Sequence, residues 1–260
     1  MLFRSFLLLL LAGAIYALWQ PGLRVSQVKV FGADQSFVDY AHEAMRGAYF
    51  GIVPRDSTFF LPTRRIRSNI TLAHPDIAAL SIFRRGFTGL SIRVVGRTAV
   101  GRWCGLAPTE GVTPYCYLFD PSGFVYMAVP EADASSTPAA PATLNPFELY
   151  APLVDLPAQA GDTLEPLRAT ISRANQLPEA FNLARQIATF GSKATAVVIH
   201  DDEADILLAS GTRVTYVLGH EQDAFNALTS ARANINLTNS SLDYVDLRFD
   251  GKVYTKKKGE

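Results

Sequence analysis

The chain opens on an apolar and small-residue run, Phe6 to Trp19, that carries no charged side chain. A helix from Leu2 to Trp19 would measure roughly 27 Å, close to the ~30 Å hydrocarbon core of a bilayer. Arg4 would then lie at one membrane interface, with Tyr16 and Trp19 at the other. The sequence predicts a single N-terminal transmembrane helix over residues 1–20, with the rest of the chain on the extracytoplasmic side.

A cleaved signal peptide is the alternative interpretation of the same run, with Arg4 as its positive end. Such a peptide needs small residues just after the apolar stretch. Ala12, Gly13 and Ala14 come too early for this, and the residues from Tyr16 to Trp19 are too bulky. The retained anchor is therefore favoured. Both interpretations leave the remaining residues outside the cytoplasm, where disulfide bonds form.

Charge and cysteine content limit the class of protein further. Lysine plus arginine and aspartate plus glutamate number 24 each, so no net charge attracts nucleic acid. The two cysteines, Cys104 and Cys116, flank a loop and would face each other across a predicted hairpin. The sequence allows two states for this pair, a disulfide or two small buried hydrophobes. The distance between the two Cα atoms decides between them.

Residues 24–96 are predicted to form a small α+β domain in the order strand, helix, helix, strand, strand. The second of its paired strands alternates apolar residues, Leu90, Ile92 and Val94, with polar ones. The predicted elements are Val25–Val30, Asp34 to about Tyr49, a helix between Pro62 and Pro75, Ala78–Phe83 and Leu90–Val95.

Residues 97–260 are predicted to form a second domain, a mixed β-sheet with helices. Residues 130–145 are rich in alanine, proline and serine and lack periodicity, which predicts a mobile loop. Helical patterns run from Leu164 to Phe190, interrupted at Leu177-Pro178, and from Glu221 to Asn234. The chain ends on a predicted strand pair, Tyr244–Phe249 and Val253–Thr255.

No catalytic motif is present: the nucleophile elbow, the phosphate-binding loop and the two-histidine zinc motif are all missing. His200-Asp-Asp-Glu203 contains metal-ligand residue types, but a polar tetrad between two strands is more typical of a solvated turn. The chain is therefore predicted to be a binding protein and not an enzyme, with no cofactor, metal, nucleic acid or small-molecule substrate.

Several stretches, in this order, resemble a known family. Val28-Lys-Val-Phe-Gly32, two helices and Leu90-Ser-Ile-Arg-Val94 resemble a POTRA domain. The stretches Gly96-Arg-Thr-Ala-Val-Gly-Arg-Trp103 and Tyr244-Val-Asp-Leu-Arg-Phe249 are similar to signatures of the FtsQ/DivIB family of bacterial cell-division proteins. The chain departs from that family at Gly96, where glutamate is usual, and at Ala99, where proline is usual.

The resemblance implies a divisome scaffold in the cytoplasmic (inner) membrane at the septum. It would recruit FtsB/DivIC-like and FtsL-like proteins through its extracytoplasmic domain, by adding a partner strand to the C-terminal sheet edge. Arg248 would bind a partner carboxylate, and Phe249 or Tyr254 would be an aromatic anchor. The partner-binding residues implied are Arg248, Phe249, Val253, Tyr254 and Thr255.

Three alternatives compete with this interpretation. Val245, Leu247 and Phe249 also fit a plain core-facing alternation, with Arg248 as a surface charge. The second alternative is that the chain is another POTRA-containing envelope assembly or secretion protein, which tandem POTRA repeats would favour. The third is a periplasmic enzyme, which would need titratable residues converging on loops.

Overall fold

The computed structural model describes residues 2–109, 111–129, 144–156 and 166–259. Two units make up the chain, divided between Arg97 and Thr98. Helices and sheets occur in both, so the fold class is α+β. The predicted mobile loop at residues 130–145 lies outside the described residues, except for its last two positions.

The N-terminal helix α1, Leu2–Leu18, corrects the first prediction. Among the helices of the described ranges, none is long and apolar enough to cross a membrane, so the predicted transmembrane helix is wrong. α1 has 17 residues and measures about 26 Å. The prediction continued the helix through Trp19, whose indole N–H instead donates to the Ile52 carbonyl at 2.8 Å. The end of the apolar run is thus bonded to a residue 33 positions further along the chain.

Beyond α1, the first unit has two helices against a three-stranded sheet in the order β1-β5-β4. β1 is parallel to β5, and β4 is antiparallel to β5. A short β2–β3 hairpin, absent from the prediction, lies between the helices. The elements after α1 are β1 (Gln27–Phe31), α2 (Ser36–Met45), β2 (Ala48–Tyr49), β3 (Val53–Pro54), α3 (Thr63–Ala73), β4 (Ile77–Arg85) and β5 (Gly89–Gly96).

The core of this unit follows from helical and strand periodicity. α3 buries Ile66 and Ile70, four residues apart and so on one face of the helix. β5 buries Leu90, Ile92 and Val94, while Lys29 and Arg93 are exposed. Because successive strand residues point to opposite faces, Lys29 and Arg93 lie on the sheet face away from the two helices.

The second unit is organised by a nine-stranded mixed sheet in the order β16-β15-β14-β13-β12-β9-β6-β7-β8. The helices α4 and α5 contribute buried side chains to its main core. Its elements are β6 (Gly101–Trp103), β7 (Tyr117–Phe119), β8 (Val125–Ala128), β9 (Glu148–Tyr150), β10 (Leu153–Val154), β11 (Thr170–Ile171), α4 (Leu177–Ile187), β12 (Ala194–Ile199), β13 (Glu203–Leu208), β14 (Arg213–Val217), α5 (Glu221–Ser230), β15 (Leu242–Asp246) and β16 (Tyr254–Lys257).

The helical pattern was predicted from Leu164, whose position lies outside the described residues, and in the described part from residue 166 the helix begins only at Leu177. α4 starts at Leu177 with Pro178 in its first turn, where a missing N–H removes no helical hydrogen bond. Residues before it form β11 and a short 3-10 turn. The proline thus marks the start of the helix and not an interruption within it.

The two cysteines are bonded to each other. Cys104 and Cys116 form a disulfide, with their Cα atoms 4.2 Å apart. Both are buried in a small cluster with Tyr150, Ala196 and Val198. The bond closes the loop between β6 and β7.

The side-chain hydroxyl of Tyr216, in β14, is expected to lower the stability of the fold. Tyr216 is fully buried, and its hydroxyl has no hydrogen-bond partner in the part of the chain that the structure describes. Burial raises the pKa of this phenol, which therefore stays neutral. Tyr216→Phe removes the unsatisfied hydroxyl, and we expect the free energy of unfolding to rise by about 1 kcal/mol in urea denaturation.

Tyr150→Phe is the matched control, because the Tyr150 hydroxyl donates to Glu148 at 2.8 Å. Losing that bond should lower the free energy of unfolding by about 1 kcal/mol. If both variants were destabilised equally, the Tyr216 hydroxyl would have a partner after all.

Candidate functional site

The nine-stranded sheet has two outer strands, and they differ in exposure. At one end, residues beside β11 cover β8: the Arg168 amide donates to the Val125 carbonyl at 2.7 Å, and the Val125 amide donates to Ala169 at 2.9 Å. At the other end, β16 pairs with β15 and with no further strand of the described ranges. The open edge of this sheet is therefore β16.

The backbone directions along β16 follow from two hydrogen bonds. The Leu247 amide donates to Thr215 of β14, so Tyr244 and Asp246 of β15 turn their backbone groups toward β16. The Lys258 amide donates to Ser241, on the β15 side. Both observations give the same alternation. Tyr254 and Lys256 bond to β15, while the amides and carbonyls of Thr255 and Lys257 point outward.

An exposed aromatic pair lies beside this edge. The rings of Phe249 and Tyr254 are in edge-to-face contact, with centroids 5.3 Å apart. Their exposed fractions are 51% and 49%. Val253, between them in sequence, is partly buried against the main core. Phe249 and Tyr254 therefore give the edge an apolar surface, whereas Val253 holds the segment in place.

Arg248 is engaged within its own chain. Its Nη2 donates to Asp246 at 2.7 Å, and its Nη1 donates to both carboxylate oxygens of Glu203 at 2.9 Å. The hydrogen bonds from Arg248 lower the pKa of Asp246, against the opposing effect of burial. The carboxylates that this guanidinium binds in the structure are therefore intramolecular, and they join β13 to the segment after β15.

We call the bonds from Arg248 to Asp246 and Glu203 the clamp, and Arg248→Gln tests it through the pH dependence of stability. Because the folded-state pKa of Asp246 is lowered, its pairing stabilises the protein above the unfolded pKa, near 4. That stability is lost as the pH falls through the folded pKa. We expect the variant to lose about 1–3 kcal/mol of unfolding free energy at pH 7, since the pair is partly exposed.

The loss in Arg248→Gln should shrink as the pH is lowered toward 3, measured by urea denaturation at each pH. Arg213→Gln is the matched control, because Arg213 lies over the Tyr244 ring and only weakly lowers the Asp246 pKa, as the last of its causes. A constant difference between Arg248→Gln and wild type across this range would contradict the clamp.

A groove lies next to the aromatic pair, between α5 and the turn before β16. Its main cavity has a volume of 770 Å³ and is lined in part by His220, Asp223, Asp250 and Val253. Phe249 lines the adjoining cavity of 200 Å³. His220 Nδ1 lies 3.3 Å from the Asp223 carboxylate. The two aspartates make this groove acidic.

The polar tetrad that starts at His200 does not assemble a metal site in the described residues. His200 Nε2 lies 3.0 Å from Asp205 of β13, and Glu203 is engaged by Arg248. The structure shows no group of three or more metal-ligating side chains in the residues it describes. The tetrad forms the connection between β12 and β13.

The structure brings Phe249, Tyr254 and Thr255 to one edge and adds residues that the sequence analysis missed. Asp246 and Arg248 are two apart in sequence, a spacing that places side chains on one strand face, so this pair was foreseeable. Glu203 and the groove residues of α5 were not, because long-range pairing brings them there.

No protein-family model matches the chain, and no curated protein matches it either.

Proposed function

We propose that this chain is a non-enzymatic scaffold of the bacterial cell-division machinery. It recruits FtsB/DivIC-like and FtsL-like proteins by strand addition at β16. The observation that carries the proposal is the open outer edge of β16 beside the exposed Phe249–Tyr254 pair. The motif order described above supplies the family and the partners.

In the proposed mechanism, backbone hydrogen bonds supply affinity and side chains supply specificity. The outward backbone groups of Thr255 and Lys257 bond to an incoming strand, as at any open sheet edge. The side chains of Phe249 and Tyr254 are about half exposed, so a partner side chain can cover their remaining aromatic surface. The acidic groove beside them favours a basic residue in the segment that flanks the added strand.

We place this activity on the periplasmic side of the cytoplasmic membrane, at the septum. The Cys104–Cys116 disulfide supports an extracytoplasmic location, because such bonds persist in oxidising compartments and are rare in the cytosol. The location at the septum comes from the family resemblance.

The test is a binding assay between the full chain and the extracytoplasmic segments of FtsB/DivIC-like and FtsL-like proteins from the same organism. Tyr254→Lys places a charge in the aromatic pair and should abolish binding without unfolding the chain. Phe87→Lys is the matched control, because Phe87 is an exposed aromatic side chain in the first unit.

Binding that survives Tyr254→Lys, with circular dichroism unchanged, would contradict the β16 site. If wild type bound neither partner, the division function would be wrong, and another POTRA-containing envelope assembly or secretion protein would be favoured.

A further inference from the structure

The formal charge of the chain is unevenly divided between the two units. Residues 1–97 contain 12 lysines and arginines but only 5 aspartates and glutamates, a net charge of +7. Residues 98–260 contain 12 and 19, a net charge of −7. The neutrality of the whole sequence therefore hides a basic first unit, which attracts anionic partners.

Three arginines of the first unit line one pocket. Arg55, Arg64 and Arg65 surround a cavity of 430 Å³ at the start of α3, which we call the arginine pocket. Its lining includes no acidic residue, and no carboxylate of the described residues pairs with any of the three. The Arg55 Nε is buried without a hydrogen-bond partner in the described structure. An anion with several acceptor oxygens, such as a phosphate group, fits this donor set.

An exposed apolar tip adjoins the pocket. Tyr49, which lines the pocket, precedes Phe50, Gly51 and Ile52 at the tip of the β2–β3 hairpin. Phe50 is 98% exposed and has a φ of 52°, a backbone conformation that bulky residues rarely adopt. Trp19 bonds to the tip through the Ile52 carbonyl. Its aromatic side chain and those of the tip suit the interfacial layer of a bilayer.

We propose that the arginine pocket and the hairpin tip together bind an anionic lipid surface. Lipid phosphate groups occupy the pocket, and Phe50 and Ile52 enter the layer between headgroups and acyl chains. A free phosphate would explain the pocket alone, whereas a lipid surface explains both the cationic pocket and the exposed aromatic tip beside it. This inference concerns the first unit and does not rest on the proposed function of β16.

The test measures binding of the full chain to neutral phosphatidylcholine vesicles and to vesicles that contain 30% phosphatidylglycerol. The ratio of the two affinities isolates the charge effect, because any apolar contribution, including that of the exposed side chains of α1, is common to both kinds of vesicle. Each arginine near an anionic surface contributes about fivefold at low salt. Arg64→Gln combined with Arg65→Gln should therefore lower the ratio about 20-fold, and 500 mM NaCl should lower the wild-type ratio as well.

Lys29→Gln combined with Arg93→Gln is the matched control. It removes the same charge from the opposite face of the sheet and should change the ratio less than twofold. Phe50→Ser combined with Ile52→Ser should weaken binding to both kinds of vesicle by about tenfold and leave the ratio unchanged.

Three results would overturn the proposal. The first is a wild-type ratio near one, and the second is an equal loss in both charge variants, which would indicate diffuse attraction without a pocket. The third is release of the protein from the anionic vesicles by inorganic phosphate at matched ionic strength. That result would identify a site for a free anion and not for a lipid surface.

Discussion

Thr255→Pro is expected to abolish partner binding while the free energy of unfolding stays within about 1 kcal/mol of wild type. The Thr255 amide points away from β15, so proline removes a donor that strand addition needs and no bond of the existing ladder. Partner affinity by isothermal titration and unfolding in urea, on the same preparations, measure both effects.

Lys256→Pro is the matched control for this prediction. The Lys256 amide faces Tyr244 of β15, so its loss should destabilise the protein by about 1–3 kcal/mol through a broken ladder bond. If Thr255→Pro bound the partner with wild-type affinity, strand addition at β16 would be wrong. If both variants were destabilised equally, the assigned alternation of backbone groups would be wrong.

Removing the disulfide is expected to have the largest effect on stability. Cys104 and Cys116 are separated by 12 residues, and closing a loop of that length contributes about 3 kcal/mol by restricting the unfolded chain. Cys104→Ser combined with Cys116→Ser should lower the free energy of unfolding by about that amount in urea denaturation.

Reduction with dithiothreitol supplies the control for the disulfide. It should destabilise wild type to the level of the double variant and leave the double variant unchanged. Wild type that kept its full stability after verified reduction would show that the bond contributes nothing.

Local periodicity was informative wherever one face of an element is buried. The helix predicted between Pro62 and Pro75 is α3, which buries Ile66 and Ile70, and the alternation of Leu90, Ile92 and Val94 predicted a strand and lies in β5. The β2–β3 hairpin was missed because its strands have two residues each, too few to show a period. The order of the nine-stranded sheet depends on non-local pairing, which no local pattern contains.

The N-terminal run shows where composition misleads. An apolar stretch identifies side chains that favour an apolar environment, but it does not determine the residue at which the helix ends. The helix ends at Leu18, and the side chain of Trp19 donates to the carbonyl of Ile52, 33 residues away in sequence. The predicted span from Leu2 to Trp19 therefore ran one residue past the end of the helix.

The candidate edge was only partly predictable. The sequence predicted two terminal strands, and the structure has β15 and β16 with ends shifted by one to three residues, with Phe249 in the segment between them. Arg248 was expected to face a partner carboxylate. Its bonds to Glu203, 45 residues away in sequence, required the sheet to be assembled first. The openness of β16 likewise follows from strand order, which only the structure provides.

Amide hydrogen exchange along β16, with and without the FtsB/DivIC-like segment, tests strand addition most directly. In the free protein the Tyr254 and Lys256 amides should be protected by β15, whereas those of Thr255 and Lys257 should exchange quickly. Binding should slow exchange at Thr255 and Lys257. Tight binding that left these two amides unprotected would contradict strand addition at β16.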